Sequence, residues 1–134
     1  MLKKSYKGLG LWMLGFVAVV LSVALIPELD YKIATRLVLN STSISVSVLA
    51  YIIYKTEYIY WYNGVSYEQA NKTESRIRKS YAYAHVVVFA KFSLFMAVFS
   101  VIMHLMNKSI AWDIIVCTIG LIVAAISTIK IKLQ

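Results

Sequence analysis

Paired-thiol chemistry is closed to this chain, because its 134 residues include a single cysteine, Cys117. One thiol forms no intrachain disulfide, no CxxC redox pair and no thiolate metal cluster, which excludes the thiol-oxidising membrane enzymes. Cys117 lies inside an apolar run and reads as a small packing residue. Acids are also scarce, at six against fourteen Lys and Arg. No paired carboxylates are placed for acid and base work, and no HExxH, GxSxG, P-loop or Gly-rich dinucleotide fingerprint occurs. Two histidines far apart on one span, His85 and His104, make no metal site. The chain is therefore expected to be no enzyme and to carry no cofactor.

Apolar residues are abundant, at 60%, with a mean hydropathy of +0.72. That leaves too little polar surface for a soluble domain and places the chain among membrane proteins. Four spans, at about 8–26, 33–54, 83–106 and 110–129, use most of the sequence. The predicted fold is all-α, a single-domain integral membrane four-helix bundle built from two transmembrane hairpins. Ser22-Val23-Ala24 could pass for a signal-peptidase site, but the first apolar run is longer than the usual signal core and reads as a retained helix. Pro27 stops it.

The charge lies in five pieces between these spans. Residues 1–7, 55–79 and 130–134 carry +3, +2 and +2, whereas 27–36 and 107–113 are neutral. Lys and Arg in short loops hold a segment on the cytoplasmic side, so both termini and the middle loop are expected in the cytoplasm of a multi-pass cell-membrane protein. The net charge of +8 would suggest nucleic acid in a soluble protein, but ten of the fourteen bases fall in those three pieces. Topology and anionic headgroups at the cytoplasmic face account for them, and no nucleic-acid partner is expected.

The second span is the least apolar. At 100° per residue, Arg36, Asn40, Ser43, Ser47, Tyr51, Tyr54 and Tyr58 share one stripe. Such a stripe either hydrogen-bonds and packs against neighbouring helices or, with Lys91 of the third span, lines a polar path. Lys91 lies about 9 Å along the helix from His85, and its stem can also snorkel to the headgroups. At the other end, His104 and Asp113 would form a pH-sensitive pair if they touch; otherwise both face solvent at the interface. Small-xxx-small spacing at Ala18/Ser22 and Gly120/Ala124 marks candidate close helix contacts. The glycosylation triplets at Asn40, Asn71 and Asn107 are not expected to matter.

Residues 55–82 form the middle loop. Eight of the ten tyrosines fall between Tyr51 and Tyr83, an aromatic belt at one membrane face. The second helix is expected to continue through YKTEYIYWY to Asn63-Gly64. Ser66 with Gln69 matches a capping box, and Glu68/Lys72 and Glu74/Arg78 are helix-type ion pairs. The loop is thus predicted to be an ordered cytoplasmic helical elbow, with Trp61, Arg76, Arg78 and Lys79 as a surface for lipid or a partner.

Among four-span families, the small multidrug exporters need a carboxylate deep in the first helix, where this chain is apolar. Arg36 and Asn40 resemble a pair in membrane glutathione-handling enzymes, but Ser43 stands where their acid is expected. The segment TEYIYWYNGVSYEQANKTESRIRKSYAYAHVVVFAKF, Thr56 to Phe92, resembles uncharacterised small membrane proteins of Gram-positive bacteria. It shares an aromatic-NG turn, an acid-containing helix start and an R-x-R-K run entering a long third span. That resemblance spans about a quarter of the chain. It implies a bacterial cytoplasmic membrane location and carries no activity with it. Two functions remain open: a non-catalytic accessory, regulatory or immunity-type protein acting by contact, as a homo-oligomer or on a membrane-protein partner, or a small oligomeric transporter or channel.

Overall fold

The protein is described by a computed structural model covering residues 2–62 and 64–133. Its helices are α1 (Lys7–Ala24), α2 (Tyr31–Thr56), α3 (Tyr67–Lys72), α4 (Ser75–Leu105) and α5 (Ile110–Ile129), with a 3-10 turn at Ile59–Trp61. α1, α2, α4 and α5 are each long and apolar enough to cross a membrane, and they pack into an all-helical four-helix membrane bundle. At 1.5 Å per residue, the 18 residues of α1 and 20 of α5 span about 27 and 30 Å, close to a hydrocarbon core. The 26 residues of α2 and 31 of α4 overshoot that thickness. Their surplus builds the elbow.

α2 is the central element, packed against α1, α4 and α5, while α4 also packs on α5. α1 buries none of its residues and leans on α2. The Trp12 indole N–H donates to the Ser45 carbonyl at 2.8 Å across that contact. Between α4 and α5, Phe92, Met96, Cys117 and Ala124 form one buried cluster. The Phe92 ring lies directly over Gly120, where a Cβ would fall inside contact distance. The small residues of α5 therefore mark a real helix contact, whereas Ala18 and Ser22 of α1 are exposed.

The second cluster sits at the elbow, where Ile53, Ile59, Tyr60, Ala70, Tyr81 and Ala82 are buried. Leu2 from one end of the chain and Ile131 and Leu133 from the other pack onto it. α2 does not continue to Asn63-Gly64. It stops at Thr56, with Glu57 in the left-handed region at φ 60°. The reason is the Glu57 side chain, which is drawn to the first turns of α4 and turns the backbone with it. Gly64 does take a positive φ, 94°, and Asn63 lies outside the described residues. Ser66 caps α3 by accepting from Gln69 N–H at 3.1 Å.

The opposite end is closed by short turns. Asp30 caps α2 by accepting from the backbone N–H of Lys32 and Ile33. After α4, Asn107 adopts φ 50°, with Asn107 N–H bonded to His104 O and Lys108 N–H to Met103 O. That is a Schellman arrangement with asparagine in place of the usual glycine.

Gly120→Val is expected to push α5 off the Phe92 ring and cost about 1–3 kcal/mol. Gly10→Val, on an open face of α1 with nothing within 4 Å, should leave the detergent unfolding midpoint unchanged.

Candidate functional site

The polar stripe of α2 faces protein. Its hydroxyl and amide groups first satisfy their own helix: Asn40 Nδ2 donates to Arg36 O at 2.8 Å and Ser43 Oγ to Asn40 O at 2.8 Å. In lipid such self-bonding avoids the cost of an unpaired donor. The stripe then crosses to α4, where Ser93 Oγ donates to Ser43 O at 2.6 Å and lies 2.6 Å from Ser47 Oγ. Ser43 is fully buried. These groups bond within α2 and across to α4. Lys91 is not brought to the stripe. It is exposed on α4 at the rim of an apolar groove against α5, and it enters none of the ion pairs among the described residues.

The more deeply buried of two charged assemblies lies at the end of the bundle holding the two short turns. Arg36, 7% exposed, donates from Nε at 3.3 Å and from Nη2 at 3.2 Å to Oδ2 of Asp113, which is 0% exposed. Nη2 also donates to Lys108 O at 3.1 Å, and Nη1 lies 3.3 Å from His104 Nδ1. One guanidinium thus ties together α2, α4, α5 and the α4–α5 turn. Of the two readings offered for His104 and Asp113, direct contact or both facing solvent, neither holds in full: His104 is exposed, whereas Asp113 is buried against Arg36. Arg36 stands between them, because its five donors reach both an acceptor nitrogen and a carboxylate at once. Asp113 lies in the first turn of α5, where a negative charge also opposes the helix dipole. Asn40 Oδ1 and Asp113 Oδ1 are buried without partners among the described residues.

At the elbow a second set of charges is organised around Glu57. Its carboxylate accepts from Ser75 Oγ at 2.7 Å and from Arg78 Nε and Nη2 at 2.9 and 2.6 Å, with Lys79 Nζ at 3.5 Å. Arg78 also donates to the carbonyls of Ala70 and Thr73, which cap the end of α3. Glu57, and not Glu74, is the ion-pair partner of Arg78. Burial opposes ionisation of Glu57, but the hydrogen bonds and the charges of Arg78 and Lys79 outweigh it and hold the carboxyl below its usual range. Arg76 remains exposed.

The chain's first residues are clasped by the aromatic residues of the elbow. Leu2 N–H donates to Asn71 Oδ1 at 2.9 Å, and Tyr67 OH donates to Leu2 O. Ser5 N–H donates to Tyr60 OH, which donates back to Ser5 O, both at 2.9 Å. Trp61 Nε1 donates to the same carbonyl at 3.0 Å. Trp61 is thus engaged by residues 5–8, its ring covering Gly8. Burial pushes the Tyr60 and Tyr62 phenols up from their ordinary value. Sequence reasoning read these rings as a belt at one membrane face and did not foresee the clasp; the signal was the four tyrosines, Tyr58, Tyr60, Tyr62 and Tyr67, beside Trp61.

Behind the clasp is a cavity of about 490 Å³ between the elbow, α4, the last turn of α5 and the C-terminal segment. His85 borders it, 3% exposed, with its ring stacked on Tyr62 at 4.0 Å and 20°. No group of three or more potential metal ligands exists among the described residues. Comparison of the chain with protein-family models, curated proteins and solved structures finds no match.

Two predictions follow from the charges. Asp113→Leu should destabilise the protein in detergent by about 3–5 kcal/mol, because it strands Arg36 inside the bundle. Arg36→Leu with Asp113→Leu should recover most of that loss in a double-mutant cycle. For Glu57, a folded ionisation below the free value of about 4.3 contributes stability above that value, lost as pH falls through the folded one. The thermal midpoint followed by tryptophan fluorescence should hold from neutral pH to about 5 and drop below about 4. Glu57→Gln should lower the neutral value and remove that part of the acid dependence.

Proposed function

We propose that this is a multi-pass protein of a bacterial cytoplasmic membrane that acts by contact, as an accessory, regulatory or immunity-type protein, with both termini and the elbow in the cytoplasm. The observation that carries the reading is the gathering of three basic segments at one end. Residues 2–7 are clasped by the elbow, and Ile131 and Leu133 pack on the elbow cluster, so the +3, +2 and +2 segments converge on one surface. Lys and Arg so placed favour the cytoplasmic face and anionic headgroups. The neutral turns lie at the other end.

Contact is favoured over transport because the polar stripe is spent on bonds between α2 and α4. The elbow, by contrast, presents a surface with Arg76, Lys72 and Lys79 exposed on an ordered base. Such a face suits an acidic or lipid-bound partner, or a second copy.

Orientation is tested with Cys117 replaced by Ala and single cysteines at Lys3, Glu28, Asn107 or Lys132. In intact cells a membrane-impermeant maleimide should label only Glu28→Cys and Asn107→Cys; labelling of Lys3→Cys or Lys132→Cys overturns the topology. Purification in mild detergent should recover a defined homo-oligomer or a stoichiometric membrane-protein partner, lost on Arg76→Glu/Lys79→Glu. A monodisperse monomer without partner, or solute flux into liposomes above that of empty vesicles, counts against the contact reading.

A further inference from the structure

The cavity at the elbow is not used by the clasp or by the contact reading. Its volume of about 490 Å³ is within the range of small-molecule sites. Its lining divides by chemistry. Gln69, Thr128 and His85 offer polar side chains, Lys132 brings a positive charge, and no carboxylate borders it among the described residues. Ile129 and Leu133 supply an apolar wall. Ile129 closes the membrane-spanning α5, so the cavity lies where that helix leaves the hydrocarbon and headgroups begin.

His85 adds a constraint on the ligand. Its Nδ1 lies 2.9 Å from the Tyr81 carbonyl oxygen. A carbonyl accepts and never donates, so Nδ1 carries a proton, and in the neutral ring Nε2 is then an acceptor. Tyr62 stacks on the ring and the Tyr81 ring centroid is 4.6 Å away, which holds the imidazole in place. The Tyr62 hydroxyl at this cavity is buried without a partner, and Nε2 of His85 enters none of the hydrogen bonds among the described residues. A ligand that satisfies it must bring an O–H or N–H. A ligand that also suits Lys132 must bring negative charge.

We infer that this cavity binds an anionic membrane lipid whose head carries hydroxyls beside a phosphate, a glycerophosphate-type headgroup. A head hydroxyl donates to His85 Nε2, phosphate oxygens accept from Lys132, and Gln69 and Thr128 bond the remaining oxygens. The acyl chains leave along Ile129 into the bilayer. A choline head has no hydroxyl or N–H to give and is discriminated against at His85. The inference is independent of the contact reading, since a lipid can occupy this cavity whatever touches the outer face.

The full chain in a phosphocholine detergent, with its histidines ¹⁵N-labelled, provides the test. The chain has two histidines, and His104 at the opposite end serves as an internal control. Dihexanoylphosphatidylglycerol should shift the His85 Nε2 resonance saturably and leave His104 in place, while dihexanoylphosphatidylcholine should do neither. Lys132→Ala should weaken the apparent affinity five- to tenfold. Because His85→Asn, whose amide can keep the bond to Tyr81 O, removes the labelled reporter, its preference is read from the lipid retained after purification from an equal mixture of the two lipids, where the excess of phosphatidylglycerol seen with the parent should vanish at unchanged helicity. Should His85→Asn not fold, Lys132→Ala at the rim still decides. No saturable shift, an equal response to the choline lipid, or Lys132→Ala binding as tightly as the parent overturns the proposal. Saturation by glycerol 3-phosphate at the same concentration overturns it as a lipid site and assigns the cavity to a soluble head.

Discussion

The bundle depends on the ion pair between Arg36 and Asp113 more than on any one apolar contact. In lipid there is no hydrophobic drive between helices, because acyl chains are as apolar as leucine, and specificity must come from packing and polar bonds. The guanidinium reaches α5 through Asp113, α4 through His104 and the connecting turn through Lys108 O. It therefore sets the register of three helices at one end. The serine contacts between α2 and α4 extend that register toward the middle of the bundle. A buried pair of this kind contributes little net stability over an apolar substitute, yet breaking it from one side is costly. Its effect is to select one packing among many of similar energy.

The other end is held differently. There, aromatic rings and backbone groups bond the first residues of the chain to the elbow, and Glu57 gathers Ser75, Arg78 and Lys79. The left-handed backbone at Glu57 costs about 1–2 kcal/mol in a residue with a Cβ. The bonds its carboxylate makes offset that cost, and the sharp end of α2 is the result. A clasp of tyrosines and a carboxylate at one end, with a polar pair at the other, leaves the middle to Phe92, Met96, Cys117 and Ala124.

How much of this was legible in the sequence follows from the range of each interaction. The four spans and the all-α bundle were legible because apolar runs and the breaks at Pro27 and Asn107-Lys108-Ser109 are local signals. The Ser66 cap was legible for the same reason. The facing of the stripe was only half legible, since spacing shows that Arg36, Asn40, Ser43 and Ser47 share a face and not what that face meets. Arg36 and Asp113 are 77 residues apart, and no periodicity links them. The available hint was that the acid of α5 and the base of α2 sit near the same end of their spans. Arg78 was given the nearer acid, Glu74, by helical spacing; Glu57, 21 residues earlier, took it because α2 ends sooner than its apolar pattern suggests. The cavity was not legible at all, for it is made by residues from four separate elements.

The separation of Arg36 and Asp113 also has a consequence in time. At a synthesis rate of about 5–20 residues per second, the 77 residues between them take about 4–15 s to make. Through that interval α2 is made and Arg36 is without its partner Asp113. Arg36 stands in the second turn of α2, close to the aqueous edge, where a long side chain can keep its charge hydrated until α5 arrives. The same residue in the middle of α2 would have to wait in hydrocarbon. Its place near the helix end reconciles an ion pair that is buried when finished with a chain that must be threaded into the bilayer one helix at a time.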